Sequence, residues 1–309
     1  MQVAISGSTG LIGSALVEAL TEAGHRTIRL VRPGTTGDVE GIAWDPEAGT
    51  IDARALEGVD AVVNLSGRSI GERRWTDAEK ELIRSSRIGP TRLLAETLAG
   101  LERKPAVFVS ASAVGVYGDR GDEVLDEDAP PGAGFFADVC REWEAAAAPA
   151  AAAGIRTAVV RSGIVVSGEG GALGRLLAPF GPRWLSPYRW GLGGWVGRGR
   201  QWWSWVSIDD HVRAVVHILE GSLDGPVNLT DPRPATNKSF MKAVGRALRR
   251  PVLLPIPRFV FRLVLGGELA EATLFDSQRV APRRLLADGF EFGSDLDAAM
   301  TAAIGRRPR

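Results

Sequence analysis

Three glycines spaced by three, Gly7, Gly10 and Gly13, close the apolar run from Val3 and open the amphipathic stretch Ser14 to Ala23. A strand that turns directly into a helix in this way cradles a pyrophosphate. The first glycine permits the tight turn, the second lets backbone N–H groups approach the phosphates, and the third lets the helix pack close on the strand. The positive end of the helix dipole then faces the anion. Thr9, Gly10, Leu11, Ile12 and Gly13 are therefore the expected contacts to a dinucleotide, together with Gly7. The second strand, Arg26 to Val31, is followed by Arg32 where NAD-selective sites carry an acid for the ribose 2′-hydroxyl. Arginine suits a 2′-phosphate, so the expected cofactor is NADP(H).

Two later apolar runs end in small polar residues, the pattern of buried parallel strands whose carboxyl ends meet a ligand. Asp60 to Gly67 places Leu65, Ser66 and Gly67 along the cofactor, and Ala106 to Ser112 adds Ser110 and Ala111. A further strand, Thr157 to Val160, leads into Arg161-Ser-Gly163, and Arg161 and Gly163 are expected on the same rim. Ser112 is placed to orient a substrate oxygen, and Tyr117 is the nearest candidate proton donor. Asp209 and Asp210 precede a helix and are expected to cap it or pair with an arginine. Cys140 is the only cysteine and His25, His211 and His217 are scattered, so no disulfide and no metal site is expected.

The elements that position these residues alternate strand and helix through the first half of the chain, which gives an α/β class with a Rossmann-type doubly wound parallel sheet. Residues 1–165 are expected to form the NADP-binding domain, with 200–230 returning to it, and 166–199 with 231–309 a smaller, mostly helical C-terminal substrate lobe. Pro90 is expected to interrupt or kink the helix that starts near Thr76, and the acidic stretch Asp119 to Gly134 to be a surface loop. Gly34 to Gly41 is expected to be a loop near the adenine. Six of the nine tryptophans lie between 184 and 205, with Arg183, Arg189, Arg198 and Arg200 among them; they line an aromatic pocket, form a partner patch or pack a core. Lys+Arg and Asp+Glu balance at 37 each over 309 residues, so nothing overall draws the molecule to nucleic acid or to an anionic membrane. The expected partner is a small-molecule substrate, with no nucleic acid, no membrane and a monomeric or homodimeric state. A chain that enters its first strand at once, without a charged leader, is expected to be cytoplasmic.

These motifs resemble the extended short-chain dehydrogenase/reductases, the nucleotide-sugar epimerase/dehydratase group. The likeness rests on Gly7-x-x-Gly10-x-x-Gly13, the Asp60 to Gly67 strand, Ser110-Ala-Ser112 with Val116-Tyr-Gly118, and Trp205-Val-Ser-Ile-Asp-Asp210. It implies NAD(P) on a Rossmann domain and a C-terminal lobe closing over a substrate. In that family a Tyr-x-x-x-Lys pair on the helix after Ser112 does the proton chemistry. Matching the helix by Glu144 puts Phe136 and Cys140 in those two places, and Arg87 where an asparagine is usual. A phenyl ring exchanges no proton and a thiol carries no fixed charge. Arg87 is then expected to take over ribose or phosphate contacts. Asn64-Leu-Ser-Gly67, Arg74-Trp-Thr76, Tyr117-Gly-Asp-Arg-Gly121, Gly199-Arg-Gln-Trp202 and Ser277-Gln-Arg-Val280 further resemble an atypical subgroup, epimerase-like proteins with a C-terminal domain of unknown function. The activities this implies are an NADP-dependent oxidoreductase on a small carbonyl or alcohol, an epimerase/dehydratase-like enzyme, or a non-catalytic NADPH sensor.

Overall fold

The computed structural model describes residues 1–34, 41–177 and 186–305, so most of the loop 34–41, and Arg183 and Trp184, lie outside the described residues. The chain forms two compact units: Met1–Val116, Asp138–Arg161 and Val212–Val227 make the first, and Tyr117–Ala137, Ser162–His211 and Asn228–Arg309 the second. This division differs from the boundaries expected at 165, 200 and 230. Residues 117–137 and 200–211 fall in the second unit because their chain pairs there: Val124–Leu125 runs parallel to Arg279–Val280, and Trp205–Ser207 to Ile164–Val166.

In the first unit the apolar runs fold as strands β1 (Gln2–Ser6), β2 (Arg26–Val31), β3 (Gly41–Asp45), β4 (Thr50–Ile51), β5 (Ala61–Asn64) and β6 (Val107–Ala113). With Arg156–Ser162 and Gly225–Leu229 they make one eight-stranded sheet, ordered Gly225–Leu229, Arg156–Ser162, β6, β5, β1, β2, β3, β4. β1 is parallel to both β2 and β5, and β5 to β6; β4 turns back antiparallel to β3. Because successive crossovers leave β1 to opposite sides, the crevice at its carboxyl end is the switch point where such sheets take ligands. Every residue of β5 is buried, as a strand covered on both faces requires.

Helix α1 (Leu11–Glu22) follows β1, and α2 (Asp77–Gly100) links β5 to β6. Thr76 caps α2 by accepting the Glu79 N–H, and the helix runs unbroken through Pro90. A proline inside a helix forfeits one backbone bond. Ile83, Leu94 and Leu98, all fully buried, hold the helix on either side of it. Helix α3 (Phe135–Ala145) follows the acidic segment.

The second unit is helical with short strand pairs. Helix Asn237–Leu248, capped by Thr236, shares a core of Trp203, Trp205, Phe240 and Met300 with helix Leu296–Gly305. Trp203 meets Phe240 edge to face at 5.2 Å. Asp209 and Asp210, expected ahead of a helix as its cap, lie inside the first turn of helix Ile208–Glu220: Ser207 Oγ accepts the Asp210 N–H at 3.0 Å, and the Asp210 carboxylate accepts from that hydroxyl and from the Gly293 N–H.

Candidate functional site

At the end of β1, Gly7 adopts a left-handed φ of 68°, and a Cβ there would stand 2.7 Å from the Leu65 carbonyl oxygen. A Cβ on Gly13 would come within 2.1 Å of the Gly7 carbonyl oxygen, so backbone itself occupies the space of a side chain. Gly10 N–H closes the turn on that same oxygen at 3.0 Å. Helix α1 starts at Leu11 with no side-chain cap and no acid in its first turn. Its leading N–H groups are therefore presented to an anion. Thr9 and Gly10 are exposed, Leu11 and Ile12 half-buried. Arg32, exposed beyond β2, lies 6.0 Å from the Trp44 ring.

The neighbouring rim is held by a buried hydrogen-bond chain. Ser6 Oγ donates to Asn64 Oδ1 at 2.6 Å, Asn64 Nδ2 donates to Thr91 Oγ1 at 2.7 Å, and Trp143 Nε1 reaches the same threonine at 2.9 Å. Ser66 Oγ joins through Ser6 at 2.9 Å. Strands β1 and β5 and helices α2 and α3 are thus tied together, which fixes the course of Leu65, Ser66 and exposed Gly67.

Arg87 lies against Gly67: a Cβ on that glycine would touch its side chain at 3.5 Å. The guanidinium stacks 5.2 Å from the Trp143 ring and donates to the carbonyls of Ile83 and Arg68. Its Nε, buried, has no partner among the described residues. Burial lowers Arg87 to about 10, which leaves it cationic at neutral pH. Beside it the Cys140 thiol is pushed up to about 12, first by burial and then by Glu144, so no thiolate forms at neutral pH.

At the carboxyl end of β6, Ser112 Oγ donates to Glu144 Oε1 at 2.8 Å. Arg161 clamps that carboxylate with both arms, Nε to Oε1 at 2.9 Å and Nη2 to Oε2 at 2.8 Å. Sequence reasoning used Glu144 only to align the helix and missed this cluster. Its one sequence signal is that Glu144 stands one helical turn beyond Cys140, on the face of α3 that carries the family's lysine position. Arg161, placed on the cofactor rim by sequence, is instead 6% exposed and committed to Glu144.

Three expected roles are corrected by burial. Tyr117 is fully buried, and its hydroxyl lies 2.7 Å from Asn228 Oδ1 and 2.9 Å from the Asp126 carbonyl oxygen, so it locks a loop and is closed to a substrate. Ser110 is fully buried and offers no surface to a cofactor, whereas Ala111 next to it is half-buried. Gly163 serves backbone packing: its amide donates to Leu229 and a Cβ would meet the Ser204 carbonyl at 2.7 Å.

The tryptophan-rich segment divides its work. Trp203 and Trp205 pack the second unit's core, while Trp195 and Trp202 line a cavity of about 720 Å³ with Arg198, Arg200 and Lys238. Lys238 lies 4.5 Å over Trp195, Arg279 4.5 Å over Trp202, and Trp202 Nε1 donates to Asp122 at 2.8 Å.

Residues 3–229 match the NAD dependent epimerase/dehydratase family, and residues 256–303 match a domain of unknown function, DUF1731. An epimerase family protein of Mycobacterium leprae is 44% identical over 94% of this chain and 91% of its own. The human epimerase family protein SDR39U1 is 35% identical over 98% of this chain and all of its own. A crystal structure of human SDR39U1 with NADPH superposes with a TM-score of 0.86 at 32% identity, covering 99% of this chain and 100% of that one. UDP-glucose 4-epimerase of Thermus thermophilus, in complex with NAD, shares the fold at a TM-score of 0.75 and 19% identity, over 99% of this chain and 98% of its own.

Proposed function

The chain belongs to the NAD dependent epimerase/dehydratase family, and we propose that it is an NADP(H)-dependent oxidoreductase acting on a small carbonyl or alcohol substrate without the Tyr-x-x-x-Lys pair. The glycine cradle supports the cofactor assignment: Gly7 and Gly13 leave no room for a side chain, and the uncapped start of α1 suits a pyrophosphate. Arg32 suits the 2′-phosphate, and Leu65 and Gly67 with Arg87 would flank the remainder, Ser66 being buried with its hydroxyl on Ser6. Bound there, the nicotinamide supplies or accepts hydride.

The Ser112–Glu144–Arg161 cluster is the observation that supports redox chemistry best. Ser112 is 4% exposed, and its proton is directed at Glu144, which leaves the serine oxygen its lone pairs to accept a substrate proton. An alcohol proton passes to Ser112 Oγ as the serine proton passes to Glu144, and carbonyl reduction runs the same relay backwards. Arg161 stabilises the carboxylate and fixes its orientation. Cys140, held as a thiol, takes no part.

Titration of the purified chain with NADPH and NADH, followed by nicotinamide absorbance with ketones, aldehydes and enones, tests this directly. Preferential NADPH binding with turnover is expected, and Ser112→Ala is expected to lower kcat by roughly a hundredfold or more with NADPH affinity retained. Equal turnover by Ser112→Ala removes the relay from the mechanism. Family membership favours one second reading, internal oxidation and re-reduction of a nucleotide sugar. That reaction would retain NADP through each turnover and invert a C–H centre without net change in nicotinamide absorbance.

A further inference from the structure

The balanced total charge conceals a segregated surface. Residues 237–267 contain seven cations, Lys238, Lys242, Arg246, Arg249, Arg250, Arg258 and Arg262, and no acid. The same stretch carries four of the second unit's highly exposed apolar side chains, Leu253, Leu254, Phe259 and Leu263. Helix Arg258–Leu265 buries no residue fully; Phe259 and Leu263, one turn apart, are 68% and 72% exposed. Its inner face packs through Phe261 and Leu265 against Val196 and Phe275, so the helix is anchored while its outer face is bare. The chain just before it leaves Leu253 and Leu254 70% and 72% exposed, and Leu254 pairs with Gly194 on the strand that follows exposed Leu192. Directly upstream, Lys242, Arg246, Arg249 and Arg250 line a groove of about 410 Å³ that ends at Pro251 and Val252.

We propose that this surface docks on an anionic lipid bilayer. An exposed apolar ridge continuous with a basic groove is the composition that lies in the membrane interface, apolar side chains at the acyl boundary and cations on lipid phosphates. Eight residues of helix span about 12 Å, far short of the hydrocarbon core, so the helix lies on the membrane plane. No helix among the described residues is long and apolar enough to cross. Charge complementarity selects the occupant: Asp297 and Glu271 pair with Arg246 and Arg262, and the remaining cations, Lys242, Arg249, Arg250 and Arg258 among them, leave an excess of positive charge that would repel a second copy and that anionic headgroups answer. Overall neutrality pointed away from a membrane; local segregation points toward one.

Co-sedimentation of the full chain with phosphatidylcholine vesicles and with phosphatidylcholine/phosphatidylglycerol vesicles tests the docking. Binding is expected only to the anionic vesicles and is expected to fall as salt is raised. Lys242→Gln with Arg249→Gln should weaken partitioning roughly thirtyfold, from two lost headgroup contacts. Phe259→Ser with Leu263→Ser, both exposed and so compatible with folding, should weaken it roughly tenfold or more at an unchanged thermal midpoint. Three results overturn the proposal: no retention on anionic vesicles, equal retention on neutral ones, or a concentration-dependent dimer in light scattering that the Phe259→Ser, Leu263→Ser variant abolishes.

Discussion

Single side chains here take their roles from what they touch. Tyr117 is the sharpest case: position after the Ser112 strand makes it a proton donor by sequence, and its contacts make it a loop anchor. Tyr117→Phe should leave NADPH affinity and turnover unchanged while strandings of buried acceptors lower stability by about 1–3 kcal/mol, read from urea unfolding. Lost turnover at full stability would return the tyrosine to the chemistry. Arg32, proposed to read the 2′-phosphate, is exposed and stacks over the buried Trp44 ring. Arg32→Glu should cost NADPH roughly a hundredfold in affinity and spare NADH, since a carboxylate repels a phosphate and accepts from a ribose hydroxyl. A parallel loss for both nucleotides would show that the arginine does not read the 2′-phosphate. Cys140 should resist alkylation in the folded chain well above neutral pH and react on denaturation, in keeping with its burial and raised thiol.

At the scale of elements, the glycine turn was legible because each glycine answers a steric demand made within a dozen residues. Gly13→Ala should weaken NADPH binding more than tenfold in a fluorescence titration, because its Cβ meets a backbone oxygen at 2.1 Å and α1 must retreat from β1. Unchanged affinity would mean that the turn can absorb the shift. The buried parallel strands were legible for a similar reason, since β1, β5 and β6 are short apolar runs with polar ends. Pairings made across long sequence gaps were not. Val124–Leu125 looked like part of an acidic loop, and its partner Arg279–Val280 lies more than 150 residues on. The β3–β4 hairpin hides in a two-residue strand, too short to show alternation. Glu144 and Arg161 sit on different elements, and neither local pattern points at the other. The glycine turn could be read from local sequence, whereas the cluster proposed to move a proton is a tertiary product.

For the molecule as a whole, net charge near zero says little about pH response, because two groups in the second unit titrate against each other. His211 is 1% exposed; one ring nitrogen lies 2.9 Å from Ser162 Oγ and the other has no partner among the described residues. Burial pushes it down to about 4, from an ordinary value near 6.5. The folded chain thus disfavours the proton: this contribution to stability is whole above pH 6.5 and is lost as pH falls toward 4, up to about 3 kcal/mol. Asp276 runs the other way, raised to about 6 by burial and then by Asp119 and Glu271. Its contribution is whole below the ordinary carboxylate range and is lost as pH rises through 6. Being partly solvated, it offsets only a fraction of the histidine effect. Urea unfolding from neutral pH to about pH 4.5 should therefore show falling stability in the parent chain, a flat or rising profile in His211→Gln and a steeper fall in Asp276→Asn. The comparison rests on slopes, so a uniform cost of either substitution does not disturb it. Parallel curves for His211→Gln and the parent would mean that the histidine keeps its proton equilibrium on folding, and that its buried nitrogen is solvated in a way the side-chain packing does not show.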